Sequence, residues 1–225
     1  MATMKELKET TTVRQRVEEA LAKAHASQPQ LNAVVTFVDV EEQLTGLNEI
    51  ADGPFYGMPI ALKDNVCTQG IRTTASSKIL DNYIPVYNAH IVDKLKAAGA
   101  IVIAKASMDE LAMGGTNLTA ATGPVYNPYD HSRMAGGSSG GSAALVAAGV
   151  VPFAIGSDTG DSVRKPASFC GVLGMKPTYG RISRYGIIPY SSSLEHVGYF
   201  TRSASDAAES RKVLAGRDDR EWTLS

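Results

Sequence analysis

Two serine- and glycine-rich segments carry the residue types best able to do chemistry. The first is Ala135-Gly136-Gly137-Ser138-Ser139-Gly140-Gly141-Ser142; the second is Gly156-Ser157-Asp158-Thr159-Gly160-Asp161-Ser162. Nine of the 21 glycines fall between positions 136 and 174. Each segment runs into a stretch that reads as a helix, residues 143–149 after the first and 163–171 after the second. Glycine-rich loops before helix starts allow close backbone approach and offer free N–H groups to an anion. They also serve as plain turns with hydroxyl caps. Two such loops, one helix–strand unit apart, belong on one edge of a sheet, where α/β proteins place their ligands.

Several motifs compete for these residues. Gly137-Ser138-Ser139-Gly140-Gly141 fits a G-x-S-x-G elbow with Ser139 as nucleophile, and Asp158 and His196 follow in the chain order of a triad. An elbow needs a strand directly before it, and His131-Ser132-Arg133-Met134-Ala135-Gly136 does not read as one. Ser162-Val163-Arg164-Lys165 fits S-x-x-K, without the companion motifs that pattern requires. A phosphate loop needs a lysine after its glycines, and none follows. His25, His90, His131 and His196 show no metal-ligand spacing and read as surface or loop residues. No metal site is expected.

The elements around these loops follow from periodicity. Residues 11–25 read as a helix behind a threonine cap, with Val13, Val17, Ala20 and Leu21 on one face, ended by Gln28-Pro29. Residues 31–38 read as a strand. Residues 39–50 read as a polar helix with Leu44 and Leu47 inward. A short apolar strand over residues 58–62 ends at Lys63-Asp64-Asn65. Residues 89–98 form a helix with Ile91, Val92 and Leu95 on one face. Residues 100–105 form a strand buried on both faces. Residues 107–113 read as a short helix capped by Ser107, residues 114–137 as irregular, and residues 150–155 as another buried strand. This alternation predicts an α/β protein with a parallel or mixed sheet. No repeat or linker divides the chain, so residues 1–225 read as a single domain.

Composition narrows the class. The 22 Lys and Arg against 23 Asp and Glu argue against a dedicated nucleic-acid binder, which needs a basic face. No apolar run is long enough for a membrane helix. The N-terminal MATMKELKETTT lacks the apolar region of a signal peptide. Cys67 and Cys170 make neither a disulfide framework nor a zinc site. A cytoplasmic protein with reduced thiols is expected.

The two loops together resemble the signature of the amidase signature family. Pro59-Ile60-Ala61-Leu62-Lys63-Asp64-Asn65 resembles that family's lysine strand, and the resemblance runs from about residue 12 to residue 209. It implies a mixed β-sheet flanked by helices and a Ser–cis-Ser–Lys triad. Carried over by position, Ser162 is the nucleophile, Ser138 the bridging serine in a cis peptide, and Lys63 the base. Thr159, Gly160 and Asp161 form the oxyanion hole. Gly136, Gly137, Ser139, Gly140, Gly141, Asp158 and Arg164 support the loops. Within the family, residues 174–198 are similar to the glutaminase (A-type) subunits of tRNA-dependent amidotransferases. That similarity implies glutamine as substrate and ammonia passed to a B-type partner. ATP and Mg belong to the B-type partner, tRNA is reached through it, and a C-type partner clamps the pair. The same similarity implies no cofactor in this chain itself. A stand-alone amidase acting on another small amide, or a catalytically impaired binding or assembly protein, remain alternative readings.

The chemistry asks for specific environments. A serine hydroxyl is a poor nucleophile and needs a base. Lysine serves when burial favours its neutral form. Lys63, at the end of an apolar strand, is placed for that.

Three departures from the family pattern stand out. Asp161 interrupts the usual T-G-G-S. It is expected to add a Cβ where a glycine-like backbone is needed, to set a negative charge beside a developing oxyanion, and to hold Lys63 charged. Lys165 replaces a usual glutamine, and Glu195-His196-Val197-Gly198-Tyr199 replaces D-Q-[VI]-G-P. Family members are also about twice as long, so only the N-terminal half of the fold is expected here. Exposed sheet edges and self-association are expected in turn.

Overall fold

The computed structural model describes residues 2–50 and 52–224. Helices α1 (Met4–Thr10) and α2 (Val13–Leu31) each open on a threonine capping box, Thr3 with Glu6 and Thr12 with Gln15. The expected stop at Gln28-Pro29 comes three residues early. Pro29 removes one backbone donor, and the helix closes on Asn32, left-handed at φ 50°, whose N–H donates to the Gln28 carbonyl at 2.9 Å.

The remaining elements alternate. They are β1 (Val34–Phe37), α3 (Glu41–Gly46), β2 (Pro59–Lys63), α4 (His90–Ala97), β3 (Ile101–Ala106), β4 (Tyr126–Asn127), β5 (Asp130–Met134), α5 (Gly140–Ala147), β6 (Phe153–Asp158), α6 (Arg164–Phe169), β7 (Leu173–Met175), β8 (His196–Thr201) and α7 (Ala204–Leu214). Six strands form one mixed sheet in the order β1-β3-β2-β6-β8-β7, and β4 pairs with β5 in a separate hairpin. The central β2 runs parallel to β3 and β6; the β1–β3, β6–β8 and β7–β8 pairs are antiparallel. This is the expected α/β class, a mixed sheet flanked by helices.

The period of two along each strand sorts side chains into two cores. Ala61 of β2, Ala154 of β6 and Phe200 of β8 face the side covered by α2 and α5, with Val17, Ala24, Ala144 and Val146. Ile60, Leu62, Phe153, Ile155 and Tyr199 face the side covered by α4 and α7, with Ile91, Leu95 and Leu214. All of α5 is buried. Its small residues let it press onto the sheet: a Cβ on Gly141 would sit 2.5 Å from the Ser107 carbonyl oxygen and 2.6 Å from that of Ala33.

Four expectations need correction. Residues 107–113 form no capped helix, only a 3₁₀ turn over Glu110–Ala112 with Leu111 left-handed at φ 52°. The Asp109 carboxylate accepts from the Thr116 and Asn117 N–H groups, and Leu111 N–H donates to Ala75, so the local bonds are made elsewhere. The 39–50 helix is short and ends in a 3₁₀ turn over Leu47–Glu49, which still buries Leu47. The irregular stretch contains the β4–β5 hairpin, so residues 130–134 are a strand. Its exposed side chains carry no alternation to read. Finally, β6 starts at Phe153 and continues to Asp158, which puts Ser157 and Asp158 on the sheet itself.

Candidate active site

Parallel strands end on the same side of a sheet. The carboxyl ends of β2 and β6 therefore lie together, Lys63 on one and Ser157 on the other. Every residue of β2 is buried, and Lys63 is 0% exposed. Its Nζ donates to Ser138 Oγ at 2.7 Å and to Ser157 Oγ at 3.0 Å. Asn65 Nδ2 donates to the same Ser157 hydroxyl at 3.1 Å and to the Ile188 carbonyl at 3.0 Å.

Ser138 sits in a tightly held loop, and the Gly137–Ser138 peptide is cis. Gly137 N–H donates to the Gly115 carbonyl at 3.0 Å, and Asp109 N–H donates to the Ser138 carbonyl at 3.1 Å. Position 137 has no room for a side chain. A Cβ there would lie 2.0 Å from Asp109 Oδ2 and 2.7 Å from the Asn117 nitrogen. Gly140 N–H donates to Asn117 Oδ1 at 2.9 Å. Gly136 takes φ +80°, a conformation open to glycine at no cost. Ser139 N–H donates to the Ser162 carbonyl at 3.2 Å and so joins the two loops.

Burial sets the charge state of the lysine. Desolvation pushes the Lys63 amine down to about 8, against the opposing pull of Glu195, Asp109 and Asp158. Neutral amine is therefore accessible near neutral pH. A second lysine shows that the shift alone does not define a site. Lys105 is equally buried and also pushed to about 8. Its Nζ donates to the Val66 carbonyl and to the Thr68 and Thr73 hydroxyls, which occupy all three donors of an ammonium. Of these two buried lysines, Lys63 is the one that touches the serine loops.

The second loop wraps a cavity of about 270 Å³ lined by Thr159, Gly160, Asp161, Ser162, Lys165 and Tyr190, with residues 112, 114 and 115 opposite. Ser162 is 7% exposed. Asp158 holds the loop: its Oδ2 accepts from the N–H groups of Val163 and Arg164 and from Arg164 Nε, and its Oδ1 accepts from Arg164 Nη2 at 3.0 Å. Burial pushes this carboxyl up, but the Arg164 guanidinium and the two backbone donors outweigh it and hold it below its ordinary value. A larger open groove of about 770 Å³ lies along β1, between residues 36–39 and 69–72; neither Lys63 nor the serine loops line it.

Asp161 behaves differently from the sequence expectation. Its backbone lies outside the left-handed region, so its Cβ introduces no strain of that kind. The carboxylates acting on Lys63 are Glu195, Asp109 and Asp158, not Asp161. Its Oδ2 instead pairs with Lys165 Nζ at 2.6 Å.

That contact also settles the S-x-x-K motif, since Lys165 turns to Asp161. The Ser139 elbow fails on geometry although a strand does precede it. Ser139 Oγ donates to the Ser157 carbonyl at 3.1 Å, and His196 Nδ1 meets the carbonyl oxygens of Asp158 and Leu194 rather than the Asp158 carboxylate. Of the other histidines, His25 and His131 are exposed and His90 opens α4. Among the described residues, no group of three or more His, Cys, Asp or Glu is placed to hold a metal. Among them, too, no helix is long and apolar enough to cross a membrane. Cys67 and Cys170 are free and buried.

Sequence reasoning missed five residues around the site: Asn65, Asp109, Asn117, Ser157 and Glu195. Glu195 is 1% exposed and accepts from the Thr159 hydroxyl and the Tyr190 N–H, both at 2.9 Å. Asn65 directly follows Lys63-Asp64, and Ser157 lies inside the second loop, so both had a positional signal. Glu195 had a signal only as the first residue of the segment that replaces D-Q-[VI]-G-P, and Asp109 and Asn117 had none, because only the tertiary fold brings them near.

A mixed α/β sheet with a buried lysine hydrogen-bonded into a serine–glycine loop defines the class to which comparison points. A family model described as Amidase matches residues 15–225, and the chain belongs to that family. The chain is 50% identical over 215 residues to the A-type subunit of glutamyl-tRNA(Gln) amidotransferase from Prochlorococcus marinus, covering 92% of this chain and 44% of that protein. The crystal structure of the corresponding Thermotoga maritima protein superposes with a TM-score of 0.88 at 42% identity, covering 100% of this chain and 49% of that one. Allophanate hydrolase of Kluyveromyces lactis superposes at 0.90 and 31% identity, covering 100% of this chain and 38% of that one. The chain thus spans about half the length of the curated relatives it matches.

Proposed function

We propose that this chain carries the amide-hydrolysing centre of an ammonia-supplying amidotransferase, with Ser162 as nucleophile, Ser138 as proton bridge and Lys63 as base. The observation that carries the reading is the 2.7 Å contact between Lys63 Nζ and Ser138 Oγ in full burial, with the amine held at about 8. Neutral Lys63 takes the Ser138 proton as Ser138 takes that of Ser162. Ser162 Oγ bonds to the amide carbon, and backbone N–H groups of residues 159–161 stabilise the oxyanion, each worth about 10²–10³ in rate. The C–N bond then breaks, the proton returns through Ser138 to nitrogen, and ammonia leaves. Water cleaves the resulting ester by the same route in reverse.

The relatives' names, amidotransferases of glutamyl-tRNA(Gln), support transamidation of a misacylated tRNA as the use of the ammonia, and the resemblance of residues 174–198 supports glutamine as the amide. In this reading a cytoplasmic B-type partner holds ATP, Mg and tRNA, and a C-type partner secures the pair. The likeness to allophanate hydrolase favours a second reading, an amidase working without those partners. Fluorophosphonate labelling tests the centre. Ser162 labels, the rate rises with pH through about 8, and Ser162→Ala is not labelled; undiminished labelling of Ser162→Ala overturns the assignment. Ammonia release from glutamine, with and without the B-type and C-type partners, separates the two readings.

A further inference from the structure

Among the described residues lining the cavity beside Ser162, the Asp161–Lys165 pair is the charged contact that the proposed chemistry leaves unused. Its Nζ–Oδ2 distance is 2.6 Å, and the side chains are 45% and 33% exposed, so both reach the cavity solvent. The Lys165 N–H donates to the Asp161 carbonyl at 2.8 Å, which places both residues on the one turn that also carries Ser162. The ammonium lies against the Gly115 backbone, where a Cβ at position 115 would come within 2.6 Å of Nζ. Of the charges behind the wall, Arg164 pairs with Asp158, and Glu195 accepts from Thr159 and Tyr190 through Oε2 while its Oε1 has no partner. Among the described residues that line the cavity, Asp161 and Lys165 are the charged ones, one anion and one cation that answer each other.

We propose that this pair is a charge filter for Ser162: it admits amides whose own charges sum to zero and discriminates against singly charged ones. A neutral amide leaves the pair intact. An amino-acid amide with one ammonium and one carboxylate exchanges partners with Lys165 and Asp161 and leaves no charge unmatched. A singly charged amide either meets repulsion or opens the pair and strands one wall charge. The inference rests on Ser162 being the reacting serine and adds the substrate class.

Calorimetric titration of the full chain bearing Ser162→Ala, which prevents turnover, tests it. The ligands are glutamine, 5-amino-5-oxopentanoate (no ammonium) and 4-aminobutanamide (no carboxylate). Glutamine binds best. Adding Lys165→Gln shifts the ratio of the two singly charged ligands about fivefold toward 4-aminobutanamide, the size of a partly exposed ion-pair interaction. Adding Asp161→Asn shifts it as far the other way, and the two together restore the starting ratio. A ratio unmoved by either substitution, or no binding of any ligand, overturns the filter. Charge-selective binding without fluorophosphonate labelling of wild-type Ser162 leaves the filter standing and removes the catalytic reading instead.

Discussion

Replacing Lys63 by methionine tests whether burial shifts its amine toward the neutral form. Desolvation lowers its amine from 10.5 to about 8. Between those values the unfolded chain binds a proton that the folded chain does not. Stability therefore rises with pH across that window, is fully present above 10.5, and is lost as the pH falls through 8. The difference corresponds to about 3 kcal/mol at 1.36 kcal/mol per pH unit. Lys63→Met keeps the unbranched stem and removes the titrating group. Guanidinium unfolding at pH 7 and pH 10.5 measures the effect, followed by circular dichroism because Trp222 is 96% exposed and its emission reports little. Wild type gains about 3 kcal/mol on the variant between the two pH values. Lys105 carries the same depression, and Cys170, pushed up to about 12 by burial, carries the opposite one; both are in each chain and cancel in the comparison. Identical pH dependence in the two chains refutes the reasoning.

Gly137→Ala places a Cβ 2.0 Å from Asp109 Oδ2 and 2.7 Å from the Asn117 backbone. Overpacking of that kind costs about 1–3 kcal/mol, read as a lower denaturation midpoint; an unchanged midpoint contradicts it. Asp109→Ala removes the acceptor for the Thr116 and Asn117 N–H groups, and the buried Asn117 donor alone costs about 1–3 kcal/mol. Hydrogen exchange at residues 116–117 accelerates in that variant, and unchanged protection argues against the role.

The fold class was legible because its signals are local. The buried runs ending at Lys63 and at Lys105 and the small-residue helix after Gly141 each identify themselves by composition. The β4–β5 hairpin was not legible: its strands are short and exposed, so no alternation marks them. The Ser107 helix failed for the opposite reason. A good local cap was outcompeted by Asp109, whose carboxylate bonds to the loop at residues 116–119.

The site divides the same way. By itself the sequence determined which residues could act: two serine loops, a lysine at the end of an apolar strand, and glycines where loops must pass closely. Only the tertiary structure decided what those residues are. It put Lys63 against Ser138 across 75 positions and buried it enough to hold its amine near 8. It turned two separate departures, Asp161 and Lys165, into one neutral pair. Charge and desolvation act through space, over a few ångströms set by chain crossings, whereas residue patterns carry only what neighbours along the chain can impose.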